Sequence, residues 1–284
     1  MTTLVCFHAH PDDEAIGTGG LMAKAAADGH RVILVTATRG EQGEPVEGVL
    51  NEGEQLWERR VVETHASAAI LGAERVEFLG YEDSGMIGEP TNDNPACFWQ
   101  ADVDEAAERL AAILRDVDCG VLTIYDDHGG YGHPDHIQVH RVGRRAAELL
   151  GLDEVYQGTM NRTRIAAMME ANRASDEPNP DMPADDGDFD TSAFGTPEEE
   201  ITHAVDVSAF VTLKKQSMEA HASQISEESF FMTMPDEIFA MAFGTEWFIK
   251  LDAKREEGAP FGDDLFAPVP GSSGGSDAPA APGT

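Results

Sequence analysis

The stretch Thr3-Leu4-Val5-Cys6-Phe7-His8-Ala9-His10-Pro11-Asp12-Asp13-Glu14 decides how this chain is read. Residues 3–8 are short and almost continuously apolar, the pattern of a strand buried on both faces. His10, Asp12, Asp13 and Glu14 crowd the carboxyl end of that strand, where open α/β sheets bind their ligands. Such a group is costly to desolvate unless it is paired or holds a metal, and imidazole with carboxylate is a good zinc set. Pro11 stiffens the turn. The competing reading is an acidic helix start, since Asp and Glu suit the positive end of a helix dipole.

The pattern repeats along the first half of the chain. Residues 31–37, 75–80 and 120–125 are further strand candidates, and helical patterns lie at about 16–28, 53–71, 104–117 and 136–150. Gly29 and Gly72 stand where helices should stop. Strands alternating with helices predict an α/β fold with a mostly parallel sheet covered on both sides. Residues 174–197 are loaded with Asp, Glu, Pro and Ser and read as an acidic loop. A strand at 200–207, a helix at 209–223 and an apolar segment from Phe230 to Phe248 are expected to pack back on the core. The organisation expected is one domain over 1–257 with a smaller C-terminal α+β portion, then a disordered Pro/Gly/Ala-rich tail over 258–284.

A second cluster, His133-Pro134-Asp135-His136, follows the strand at 120–125. It too sits at the carboxyl end of a strand, so the two clusters can converge on one ion. A catalytic zinc takes three protein ligands and keeps one position open. His10, Asp13 and His136 supply the three, leaving Asp12, His133 and Asp135 for proton transfer and orientation.

These segments resemble the signatures of the LmbE-like, or PIG-L, deacetylases. Ala9-His10-Pro11-Asp12-Asp13-Glu14 is similar to the first. Gly129-Gly130-Tyr131-Gly132-His133-Pro134-Asp135-His136 is similar to the second, in the form seen in actinobacterial mycothiol-pathway enzymes. Thr38-Arg39-Gly40-Glu41 and Arg60-Val61-Val62-Glu63 with Leu71-Gly72 fit as well. The resemblance implies a Rossmann-like three-layer fold and a hydrolase that removes the acetyl group from an N-acetylglucosamine-type substrate. It implies His10, Asp13 and His136 as ligands of Zn2+, with Fe2+ the other candidate ion. Asp12 would be the base that activates water, and Tyr131 would hold the developing oxyanion. His133 would be a protonated stabiliser or acid oriented by Asp135.

Arg60, Glu14 and His221 are candidate substrate contacts. Each has a structural alternative: a solvated helix face for Arg60, a helix-start carboxylate or a brace for a ligand in the case of Glu14, and simple packing for His221. His8 and His140 read as packing residues. Gly17-Thr18-Gly19-Gly20 invites a dinucleotide reading, but a phosphate loop should follow the strand directly. Acidic residues fill that place, so close helix–sheet packing explains the glycines better.

A formal net charge of -34 repels phosphate backbones and anionic lipid surfaces, which excludes nucleic acid as a partner. No apolar run approaches the roughly 20 residues that span a bilayer, so no membrane insertion is expected. Without a basic segment and apolar run at the start, the expectation is a cytoplasmic enzyme of a small-molecule amino sugar. A homo-oligomer is compatible with the sequence. Cys6, Cys97 and Cys119 form no pair motif and read as buried small apolar residues.

Two alternatives stand beside the deacetylase. One is an amidase of mycothiol-type conjugates, for which the resemblance would place a lysine shortly after the first motif; Ala15-Ile16-Gly17-Thr18-Gly19 has none. The other is a non-catalytic metal-stabilised binding protein, which would have no use for Asp12 as a base.

Overall fold

A computed structural model describes residues 1–174 and 194–267. In chain order the elements are β1 (Thr3–His8), α1 (Asp13–Gly17), α2 (Gly19–Ala27), β2 (Arg31–Thr36), α3 (Leu56–Ile70), β3 (Arg75–Phe78), α4 (Val103–Asp116), β4 (Cys119–Tyr125), the single turn α5 (Gly129–Gly132), α6 (Pro134–Leu150), β5 (Val155–Thr159), α7 (Arg162–Arg173), β6 (His203–Asp206), α8 (Val211–Glu219), α9 (Phe230–Thr233), α10 (Asp236–Phe243) and β7 (Thr245–Lys250).

The strands form a sheet in the order β3-β2-β1-β4-β5-β7-β6. The first five run parallel; β7 pairs antiparallel with both β5 and β6. β1 is central and buried along its whole length. Its alternate residues feed two different cores. Val5 and Phe7 join Ile33, Val35 and Leu122 under α4 and α6. Leu4 and Cys6 join Val32, Leu34 and Val121 under α2 and the end of α3. Period-two alternation between two covered faces is why the strands read as unbroken apolar runs. The expected three-layer α/β fold is therefore present.

The order turns at β1. The chain leaves it for β2 on one side and returns through β4 on the other. Such a switch point opens a crevice at the carboxyl ends of the two strands. Both sequence clusters stand there: residues 10–14 follow β1, and residues 133–136 follow β4 through α5.

Helix ends obey local chemistry. α3 stops as expected at Gly72, whose φ of +77° suits glycine alone. Gly72 N–H bonds to Ala69 O and Ala73 N–H to Ala68 O, the paired bonds of a Schellman end. The glycines after the first motif serve packing. A Cβ on Gly20 would lie 2.6 Å from Val207 Cβ. The carboxylate of Glu246 already accepts from Gly20 N–H and Leu21 N–H at 2.8 Å each, and Lys214 Nζ pairs with it at 2.5 Å. The start of α2 is thus capped by the protein's own anion.

Two expectations change. The helix expected at 16–28 begins at Asp13 and breaks at Thr18. The tail does not become disordered at Gly258. Leu265 is buried in the second core, Phe266 stacks on His30 with ring centroids 3.8 Å apart, and Gly262 pairs with His203. These few apolar residues hold an otherwise Pro/Gly-rich segment down; residues 268–284 lie outside the described residues. So do residues 175–193 of the acidic loop. Among the described residues no helix is long and apolar enough to cross a membrane.

Candidate active site

Each side chain of the site is aimed by local structure. His133 is the N-cap of α6 and Pro134 occupies the first turn, so His136 falls one turn in and faces β1. Tyr125 at the end of β4 stacks on the His136 ring, centroids 4.2 Å apart and planes within 6°. Gly129, at φ +68°, lets the preceding loop lie on His136: a Cβ there would sit 2.7 Å from His136 Cβ. Asp13 begins α1 and its Oδ2 accepts from His10 N–H at 2.8 Å.

The two clusters do converge. The centroids of the His10, His133 and His136 rings lie between 4.6 and 5.4 Å apart. Asp13 stands between two of them, its Oδ2 3.4 Å from His10 Nδ1 and its Oδ1 3.4 Å from His136 Nε2. His136 Nε2 is buried and has no hydrogen-bond partner, a rare and costly state for a ring nitrogen. His10, His133 and His136 carry ring nitrogens close enough to share one ion. An orphaned imidazole nitrogen facing a carboxylate, in a buried set of histidines and aspartates, fits a divalent cation of the zinc class.

Asp12 lines the same cleft, of about 220 Å³, with His10, Asp13, Arg60, Asp83 and Tyr131. Burial pushes its carboxyl up to about 6, against the pull of Arg60. Arg60 Nη2 lies 3.1 Å from Asp12 Oδ2 and donates to Pro11 O at 2.5 Å, while Nη1 donates to Gly40 O at 2.8 Å. Arg60 is thus no solvated helix residue; it belongs to the cleft wall. Tyr131 is 42 % exposed, with its ring 5.0 Å from that of His136.

Four of the expected residues, Glu14, His221, Asp135 and His133, are buried. Glu14 and His221, two of the candidate substrate contacts, are both fully buried. They pair with each other at 2.6 Å behind Asp12, because α8 and the turn after it pack on α1. Asp135 does not orient His133 through its carboxylate. Its backbone N–H donates to His133 Nδ1 at 3.1 Å. The carboxylate, turned inward by the helix start, takes the N–H and hydroxyl of Ser84 and meets His10 Nε2 at 3.1 Å. Burial, with the neighbouring His10 and His136, pushes the His133 imidazole down to about 4. With Nδ1 accepting, its neutral form carries the proton on Nε2.

Asp83 is a residue the sequence reading missed. It is buried in the cleft wall, 3.4 Å from His10 Nε2, and accepts from Gly85 N–H and Gln42 N–H. Although burial opposes ionisation, His10 and these donors hold its carboxyl well below the usual range. Burial likewise opposes protonation of His10, but Asp83, Asp13 and Asp135 hold its pKa well above the ordinary value. The signal was present: Asp83 follows β3, a third carboxyl end of the same parallel sheet. His8 and His140 pack as expected, on Tyr125 and Thr18 and on Tyr125 O respectively.

A family model described as GlcNAc-PI de-N-acetylase, PIG-L, matches residues 5–147. The chain belongs to the PIG-L (LmbE-like) family. It is 42 % identical to the 1D-myo-inositol 2-acetamido-2-deoxy-alpha-D-glucopyranoside deacetylase of Acidothermus cellulolyticus, over 95 % of this chain and 96 % of the relative. Identity is also 42 % to the protein of the same name from Thermobifida fusca, over 93 % and 98 % of the two chains. The fold is that of the N,N'-diacetylchitobiose deacetylase from Pyrococcus horikoshii, at 21 % identity and a TM-score of 0.55, over 87 % of this chain and 82 % of that one. This PIG-L member is an N-deacetylase, a hydrolase of a linear amide C–N bond.

Proposed function

We propose that this enzyme removes the acetyl group from an N-acetylglucosamine glycoside, with the α-glucosaminide of 1D-myo-inositol as the first substrate to try. The observation that carries the reading is Asp13 between His10 Nδ1 and His136 Nε2, with Asp12 beside it in one cleft. The substrate choice is supported by relatives of that name, which align along nearly the whole chain.

His10, Asp13 and His136 would hold Zn2+, with Fe2+ the other candidate. Asp13 is preferred to His133 as third ligand because its two oxygens reach both imidazoles, whereas His133 spends Nδ1 on the helix start. When bound, Zn2+ lowers the pKa of a water to about 7 and polarises the amide carbonyl.

The remaining groups have distinct tasks. Asp12, poised near neutrality, takes the proton of the attacking water and then delivers it to the leaving amine nitrogen. Tyr131 donates its hydroxyl to the developing oxyanion. His133 offers Nε2–H to a substrate oxygen rather than acting as an imidazolium. Asp83 and Asp135 brace the far side of His10, as carboxylates do for ligating histidines. We infer a cytoplasmic enzyme, which suits three free cysteines.

Release of free amine from the inositol glycoside, measured against simple N-acetylglucosamine glycosides, tests this. Turnover should favour the inositol glycoside, stop with a chelator and return with Zn2+. Chelator-insensitive turnover would defeat the metal assignment, and no release from any of these acetamides would defeat the substrate class.

A further inference from the structure

We propose that His221 is a positioning residue for Asp12, acting through Glu14 to fix the peptide from which the Asp12 carboxylate projects. The proposal rests on the reading of Asp12 as the base.

Asp12 has φ +91°. That region is unfavourable for a residue with a Cβ, and it persists only where surrounding groups enforce it. The peptide unit joining Pro11 to Asp12 is clamped at both ends. Its carbonyl accepts from Arg60 Nη2 at 2.5 Å. Its N–H donates to Glu14 Oε2 at 3.1 Å.

Arg60 is fixed by α3 and by its bond to Gly40 O. Glu14 has a harder task, because it is fully buried and a buried carboxylate needs donors. Its Oε1 receives two, Ser67 Oγ and His221 Nε2, each at 2.6 Å. His221 is the only ring in this arrangement, and its turn is itself tied down. Glu63 of α3 accepts from Ser223 N–H and Oγ at 2.9 and 2.6 Å, and Val46 N–H donates to Ser223 O. A residue remote in sequence therefore holds one end of the peptide whose other end is held by Arg60. Without His221, Glu14 loses one of its two side-chain donors and is free to turn from Asp12 N–H.

The test compares Zn2+-loaded wild type, His221→Leu and His221→Gln, with Asp12→Asn in parallel. His221→Leu should lower kcat about 100-fold, the size of effect that a ~1 Å misplacement produces, with KM and bound zinc close to wild type. His221→Gln, whose amide can reach Glu14, should recover most of kcat. In a crystal structure of His221→Leu the Asp12 φ should leave the positive region. A folded His221→Leu with wild-type kcat, or His221→Gln as impaired as His221→Leu, overturns the proposal. If His221→Leu does not fold, His221→Asn, whose amide is too short for Glu14, takes its place against His221→Gln; equal kcat for the two overturns the proposal. An active Asp12→Asn would instead remove the reading beneath it, whereas inactive Asp12→Asn with fully active His221→Leu would remove the positioning role alone.

Discussion

Asp13 Oδ1 faces His136 Nε2 at 3.4 Å, and that nitrogen has no hydrogen-bond partner. One residue comes from the end of β1 and the other from the first turn of α6. Replacing Asp13 by Ala leaves two imidazoles and no carboxylate bridge. Bound zinc, measured by elemental analysis after dialysis, should fall from about one ion per chain to a small fraction. Retention of wild-type zinc by Asp13→Ala would mean that His133 completes the ligand set instead.

Tyr131 rides on the single turn that begins at Gly129, its ring 5.0 Å from that of His136 and outside the proposed ligand set. Tyr131→Phe should lower kcat by roughly 10²-fold, within the range for losing one oxyanion donor. Zinc content should stay unchanged. A loss confined to KM would make Tyr131 a binding residue instead.

The two motifs and their convergence were legible in the sequence, because short apolar strands ending in ionisable residues announce both a parallel sheet and its active edge. Asp83 was less legible, since no second ionisable motif surrounds it after β3. Asp135 misled for a physical reason. Adjacency suggests a partner in His133, but the first turn of α6 points its carboxylate at Ser84 and His10. The pairing of Glu14 with His221 joins distant segments and has no local signature. β5 was also hidden: Gln157 and Gly158 interrupt its apolar run, and its pairing with β4 and β7 is what makes it a strand.

Gly20 tests the packing reading of the glycines after the first motif. Alanine favours helices, yet its Cβ would meet Val207 at 2.6 Å. Gly20→Ala should cost about 1–3 kcal/mol, read as a fall in Tm of roughly 2–4 °C for each kcal/mol in a chain of this size. An unchanged or higher Tm would show that the contact yields freely.

His203 predicts acid sensitivity away from the active site. It is fully buried, its Nδ1 pairs with Thr202 Oγ1, and Gly262 covers the ring. Burial, aided by Lys250, pushes its pKa from 6.5 down to about 4. Between those values the unfolded chain binds a proton that the folded one refuses. Stability from this group is therefore complete above pH 6.5 and is lost as pH falls toward 4, by on the order of 2–3 kcal/mol. Urea midpoints across this range should drop less in His203→Gln than in wild type. Parallel curves for the two proteins would remove His203 as a cause.

The most direct test of the account is Asp12→Ala, assayed for bound zinc and for amine released from the inositol glycoside. Asp12 lies in the cleft beside Asp13 but outside the proposed ligand set. The variant should keep its zinc and lose about 10²–10⁴-fold in kcat, the range for a general base. Loss of zinc together with activity, or activity near wild type with zinc in place, would contradict the assignment of Asp12 as the base.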